Sequence, residues 1–130
     1  MMSSHTGPVA WVAWGAFSVN GELHGKTEDG RVGVGKDIRV IGEKVTAWKE
    51  RKGHLLTPEM ITGVYGQGIE VLVIGIGAEG MIECPDDVQA AIRAEGIGEL
   101  ILAPTPEACE RYNELLRAGR RAALLAHGTC

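Results

Sequence analysis

Apolar and polar positions follow two different rhythms along this chain, and the change falls near residue 69. Residues 70–76 are a continuous apolar run, the pattern of a strand covered on both faces. Residues 86–95 put Val88, Ala91 and Ile92 on one helical face, with Pro85 at the first helical position and Gly96 as the stop. Residues 100–103 read as the next buried strand. Thr105 then reads as the cap of a helix opening Pro106-Glu107, whose Ala108, Tyr112, Leu115 and Leu116 form an apolar stripe. Arg117 lies in its last turn, Gly119 closes it, and residues 121–127 supply a final strand. A further helix is predicted over 58–65, capped by Thr57. Alternating elements joined by short loops imply a mostly parallel sheet with right-handed crossovers.

Before residue 69 the pattern is of strands without helices. Residues 11–19 form one candidate strand, followed by Asn20-Gly21, a strong hairpin signal. Residues 38–41 and 45–48 make a second pair around Gly42-Glu43-Lys44. The segment 22–35 between them, with four glycines and mixed charge, reads as a flexible loop. Residues 1–8 are expected to be disordered. The expectation is therefore a single α/β domain over residues 9–130.

Composition narrows the function classes. A formal net charge of −4, with no Lys/Arg cluster, argues against a nucleic-acid surface. No apolar run reaches the ~18 residues of a membrane helix, and the N-terminus lacks the pattern of a secretory signal. Three cysteines without a Cys-x-x-Cys motif fit reduced thiols and a cytoplasmic location. The four histidines show no zinc spacing, so no metal site is expected.

The stretch Gly75-Ile76-Gly77-Ala78-Glu79-Gly80 has the Gly-x-Gly-x-x-Gly spacing of dinucleotide-binding proteins. That chemistry needs a helix beginning at the last glycine, with its N-terminus facing the pyrophosphate. Here Pro85 would break such a helix, and the following strand ends in Ala103-Pro104-Thr105 rather than in an acidic residue for a ribose hydroxyl. No dinucleotide or other cofactor is expected.

Several landmarks recur in order: Leu72-Val73-Ile74-Gly75-x-Gly77, Thr105-x-x-Ala108, Tyr112-Asn113-x-Leu115, Gly119-Arg120-Arg121 and His127-x-Thr129-Cys130. With Trp14-Gly15, Lys36-Asp37 and Trp48 they resemble the MTH-type domain family of small α/β proteins. That family includes the animal adipogenesis-associated domain protein and mitochondrial complex I assembly factor three. The resemblance runs from Val9 to Cys130. It implies a single-domain three-layer fold with a mixed central sheet of about five strands, flanked by helices, and a small N-terminal β-layer. It implies no reaction. Adjacent Gly53-His54 and the long 22–35 segment depart from the family pattern.

The candidate site combines Gly75, Gly77 and Thr105, which follow the ends of successive strands where α/β sheets bind ligands. Free backbone N–H groups at the Thr105 helix would attract a small carboxylate or phosphate. Arg51 and His54 would close the crevice, with Asn113 supporting it. The alternative is a tight glycine turn beside an ordinary cap. Three function classes follow: a non-enzymatic binding or assembly module, an enzyme using His54 as acid/base, or a structural domain docking a protein through Trp11, Trp14 or Trp48. The chain is expected to be a monomer or weak homo-oligomer. His127 would form a nucleophile pair if Cys84 or Cys109 came within reach, although Cys109 beside an apolar stripe suits a buried, inert thiol.

Overall fold

The computed structural model describes residues 2–130. Two five-stranded sheets and two helices make an α/β fold. The first sheet is an antiparallel meander of β1 (Met2–Ser4), β2 (Val9–Ala13), β3 (Ala16–Val19), β4 (Glu22–Thr27) and β5 (Gly30–Val32). The second contains β6 (Asp37–Ile41), β7 (Lys44–Ala47), β8 (Val71–Gly75), β9 (Glu99–Ala103) and β10 (Ala122–His127), in the spatial order β7-β6-β10-β8-β9. Within it β10 runs parallel to β8 and antiparallel to β6, so the sheet is mixed. Helix α1 (Asp86–Ala94) connects β8 to β9, and α2 (Thr105–Arg117) carries the chain from β9 past β8 to β10.

Period-two alternation along the buried strands divides the core. Val71 and Val73 of β8 join a cluster with Phe17, Ala108, Cys109 and Tyr112. Leu72 and Ile74 join another with Trp48, Val88 and Ile92. The crossover helices therefore contribute to different clusters. β10 is buried along its whole length, as a strand flanked by β6 and β8 must be.

The meander departs most from expectation. Residues 2–4 pair with Trp11–Ala13 instead of being disordered; Met1 lies outside the described residues. The single strand expected over 11–19 is two, folded at Trp14-Gly15 where Gly15 has φ +74°. The flexible loop expected over 22–35 contains β4 and β5. Its glycines serve turns and close passages: a Cβ on Gly25 would strike Ala16, and Gly30 closes the β4–β5 turn at φ +111°. Asn20 and Gly21 both have positive φ, as a tight hairpin turn requires. The helix expected over 58–65 shrinks to one 3₁₀ turn, Pro58–Met60, because Ile61 is extended and Gly63 has φ +72°. Thr57 makes no side-chain cap there. Pro85 and Pro104 occupy the N-cap positions, so α1 starts one residue later and α2 one residue earlier than read from sequence.

One side chain ties the meander to α2. Asn113 is fully buried; its Oδ1 accepts from Val9 N at 3.1 Å and its Nδ2 donates to Val9 O at 2.9 Å. The amide thus serves as a substitute strand partner where the β2–β3 register shifts between Val9 and Trp11. Gly7 must lack a side chain, since a Cβ there would lie 2.6 Å from Asn113 Cγ. Asn113→Ala leaves a buried donor and acceptor without partners, a loss of about 2–4 kcal/mol. Urea unfolding should show this, and a loss below about 0.5 kcal/mol, the range of ordinary surface changes, would refute the clasp.

Candidate functional site

The end of β10 gathers a network of polar side chains. His127 is buried, and its backbone pairs opposite Asp37 at the start of β6. Its Nδ1 lies 2.5 Å from Asp37 Oδ1, and its Nε2 lies 3.2 Å from Thr129 Oγ1. Arg51 Nη2 approaches the other Asp37 oxygen at 3.4 Å while its Nη1 donates to Gly53 O. Burial alone would raise the Asp37 carboxyl, but the His127 hydrogen bond and the Arg51 charge outweigh it and hold the group below its ordinary value. An ionised carboxylate only accepts. The proton between Asp37 and His127 therefore belongs to Nδ1, and in neutral His127 Nε2 carries the free lone pair.

Residues 128–130 continue from His127 across the glycine loop. Ala78 N donates to Thr129 O at 2.8 Å and Met81 N to Cys130 O at 3.2 Å. Gly15 N donates to Gly128 O at 2.7 Å from the opposite side. Gly77, at φ +104°, touches Cys130 so closely that any Cβ would collide with its carbonyl. Gly75 packs on Thr105, whose Oγ1 would lie 2.9 Å from an added Cβ.

Thr105 is not a cap. It is the first residue of α2 and is buried; its hydroxyl donates to His127 O at 2.6 Å and accepts from Gly77 N at 2.9 Å. Gly75, Gly77 and Thr105 do meet, as the sequence suggested. They meet in direct contact, and residues 128–130 take the space expected for a small anion. Arg51 and His54 reach the same end of the molecule: Arg51 through Asp37, and His54 through Cys130 Sγ, 3.2 Å from its Nε2. Asn113 does not belong to this group, since both its amide atoms are spent on Val9.

Among the described residues the hydrogen-bond partners of the His127 ring are Asp37 and Thr129, and neither Cys84 nor Cys109 is one of them. Burial and the nearby Asp87 push the Cys84 thiol up to about 11, and complete burial raises that of Cys109 further. Sequence reasoning therefore missed Asp37 and Thr129 as site residues. Their signals were the Lys36-Asp37 and His127-x-Thr129-Cys130 landmarks, which carried no spatial information. Of the tryptophans, Trp48 is buried and donates to Met60 O at 2.7 Å, whereas Trp14 is exposed. Two surface depressions of about 370 Å³ lie elsewhere, one beside Arg39, Lys44 and Gln67 and the other beside His5, Glu110 and Arg117. No set of three or more metal-ligating side chains occurs among the described residues.

The fold and this polar cluster define a small α/β domain. A family model described as protein of unknown function (DUF498/DUF598) matches residues 9–127, and the chain belongs to that family. Its fold is similar to that of a conserved hypothetical protein, PH1505, from Pyrococcus horikoshii, at 21% identity and TM-score 0.74, covering 94% of this chain and 98% of that one. An outer membrane protein from Bartonella henselae is similar at 22% identity and TM-score 0.74, with all of both chains covered. A Bordetella pertussis protein described as an Mth938-like domain matches at 16% identity and TM-score 0.56, covering 97% of this chain and 85% of that one. The MTH-type resemblance is thus borne out. No helix of the described residues is long and apolar enough to cross a membrane.

Two measurements test this site. Because the Asp37 pKa is lowered in the folded state, its contribution to stability is present above its ordinary value of ~3.9. It is lost as pH falls from there through the lowered value. The stability gap between the wild type and Asp37→Asn, from urea unfolding, should therefore shrink between pH ~5 and ~3; a gap independent of pH would contradict the ion pair. Phosphates, carboxylates and NAD should leave Tm unchanged, since residues 128–130 occupy the glycine loop. A ligand at about 100 times its Kd would add ~2.7 kcal/mol and raise Tm by several degrees, and such a shift would show that the segment yields.

Proposed function

We propose that this chain is a binding or assembly module that docks a protein partner at the end of the molecule where residues 127–130 lie. The two core clusters support reading the fold as three layers, with the meander and α2 on one side of the mixed sheet and α1 on the other. That arrangement collects several loops at one end. The observation that carries the proposal is the position of the exposed apolar side chains. Among the described residues, five large apolar side chains are exposed, and three of them border this segment. Trp14 (51% exposed) precedes Gly15, which bonds Gly128; Leu55 (54%) follows His54, which bonds Cys130; and Met81 (51%) itself donates to Cys130.

Keeping Trp, Leu and Met in water has a cost of about 1.5–3 kcal/mol for each that a partner would otherwise cover. Interfaces enrich Trp and Met at their centres and depend on a few such anchors.

The test is a photocrosslinker placed at Leu55 in the full chain, compared with one at exposed Gly98 beyond α1. A partner captured from Leu55 and not from Gly98 should be lost when Trp14→Ala and Met81→Ala are combined. The affinity should fall by about 100-fold or more if each anchor contributes over about 1.4 kcal/mol. Capture that is unchanged in the double variant would remove this surface from the function.

A further inference from the structure

We propose that Thr129 is a nucleophile that accepts an acyl group from a carboxylic ester, with His127 as its general base and Asp37 as the group that orients the histidine. The assignment goes beyond docking and stands on a different observation: a hydroxyl, an imidazole and a carboxylate in one hydrogen-bonded line.

Each link has the required chemistry. Thr129 Oγ1 lies 3.2 Å from His127 Nε2, within reach for proton transfer. His127 Nδ1 lies 2.5 Å from Asp37 Oδ1, which holds the ring in the tautomer whose Nε2 accepts. Arg51 at 3.4 Å and Gly128 N at 3.4 Å keep the carboxylate oriented. The backbone beneath the imidazole is held as well, since the Thr105 hydroxyl donates to His127 O at 2.6 Å. His127 is buried and Thr129 half-buried, so the base is the more shielded of the two. The same order of roles, hydroxyl to imidazole to carboxylate, recurs on unrelated folds and is recognised by its geometry.

The step balances without another reagent. Thr129 Oγ1 forms a bond to the ester carbonyl carbon while its proton passes to His127 Nε2. Collapse of the tetrahedral adduct breaks the ester C–O bond, and the leaving alcohol takes that proton. Water, deprotonated by His127, then releases the carboxylic acid and restores the hydroxyl. A threonine held this way is an acyl acceptor even where the second half-reaction is slow.

The probe is p-nitrophenyl acetate incubated with the full chain, with nitrophenol release followed and the acetyl group located by peptide mass spectrometry. The expected result is acetylation of Thr129 that is absent in Thr129→Ala and retained in Thr129→Ser. Asp37→Asn, shown folded by circular dichroism, should slow it by about 10²–10⁴-fold. Rescue by serine separates nucleophilic chemistry from a purely structural role for the segment. Three results overturn the proposal: no acetyl on Thr129 in folded protein, acetyl on Cys130 instead, or an unchanged rate in Asp37→Asn.

Discussion

The constraint on which much of this structure depends is the burial of β10 along its whole length, up to and including a histidine. A strand with neighbours on both sides and apolar clusters on both faces cannot leave a polar side chain unpaired at its end without a cost of roughly 1–3 kcal/mol per group. His127 therefore recruits a partner for each polar atom. Asp37 takes Nδ1, Thr129 takes Nε2 and the Thr105 hydroxyl takes the carbonyl. Each partner is in turn held: Asp37 by Arg51, Thr105 by Gly77, and the Thr129 backbone by Ala78. The polar cluster follows from the need to end a buried strand.

The glycine loop shows how the same requirement redirects a familiar pattern of residues. In a dinucleotide site, glycines let backbone amides approach a pyrophosphate. Here a glycine lets backbone approach backbone. Gly77 and Ala78 turn their amides to Thr105 and Thr129, and no helix starts until Asp86. Close approach is common to both uses, so the spacing alone does not distinguish them. What distinguishes them is the following secondary structure, and Pro85 made that legible.

Strongly apolar, sharply punctuated segments were legible at residue resolution. The β8, α1, β9, α2 and β10 elements fall within a residue or two of their predicted ends, because continuous apolar runs and one-sided stripes admit few alternatives. The hairpin of β6 and β7 was equally clear. The meander was not. Strand β4 reads Glu-Leu-His-Gly-Lys-Thr, with Leu23 exposed and His24 and Gly25 buried, so its alternation is invisible to a hydrophobicity pattern. Its pairing with β3 comes from hairpin geometry at Asn20-Gly21 and from the close passage of Gly25 over Ala16. The 58–65 stretch failed for the opposite reason. Its apolar residues Ile61 and Val64 do enter the core, but from an irregular backbone that Gly63 turns. The site was half legible: Gly75, Gly77, Thr105, Arg51 and His54 gather where strand ends predicted. The pairing of Asp37 with His127 depends on β6 lying antiparallel to β10, a long-range register that local pattern does not contain.

Helix α2 connects these two stories. Most of its buried positions are apolar, yet Thr105 and Asn113 are both fully enclosed. Eight residues separate them, about 12 Å along the helix at roughly 1.5 Å per residue, so they address different neighbours. Thr105 fastens the β8 loop to the end of β10, and Asn113 fastens β2 of the meander. A helix packed only through apolar contacts would be free to slide by fractions of an ångström, because dispersion contacts are numerous and weakly directional. Two buried hydrogen-bonding side chains, well separated along its inner face, fix both its rotation and its axial position. Since Gly15 of the meander reaches Gly128 and Thr105 holds His127, a fixed α2 also fixes the distance between the β2–β3 turn and the Asp37–His127–Thr129 line. The geometry of the cluster is therefore set by the packing of the whole domain, and the helix that looks most ordinary in sequence is the element that sets it.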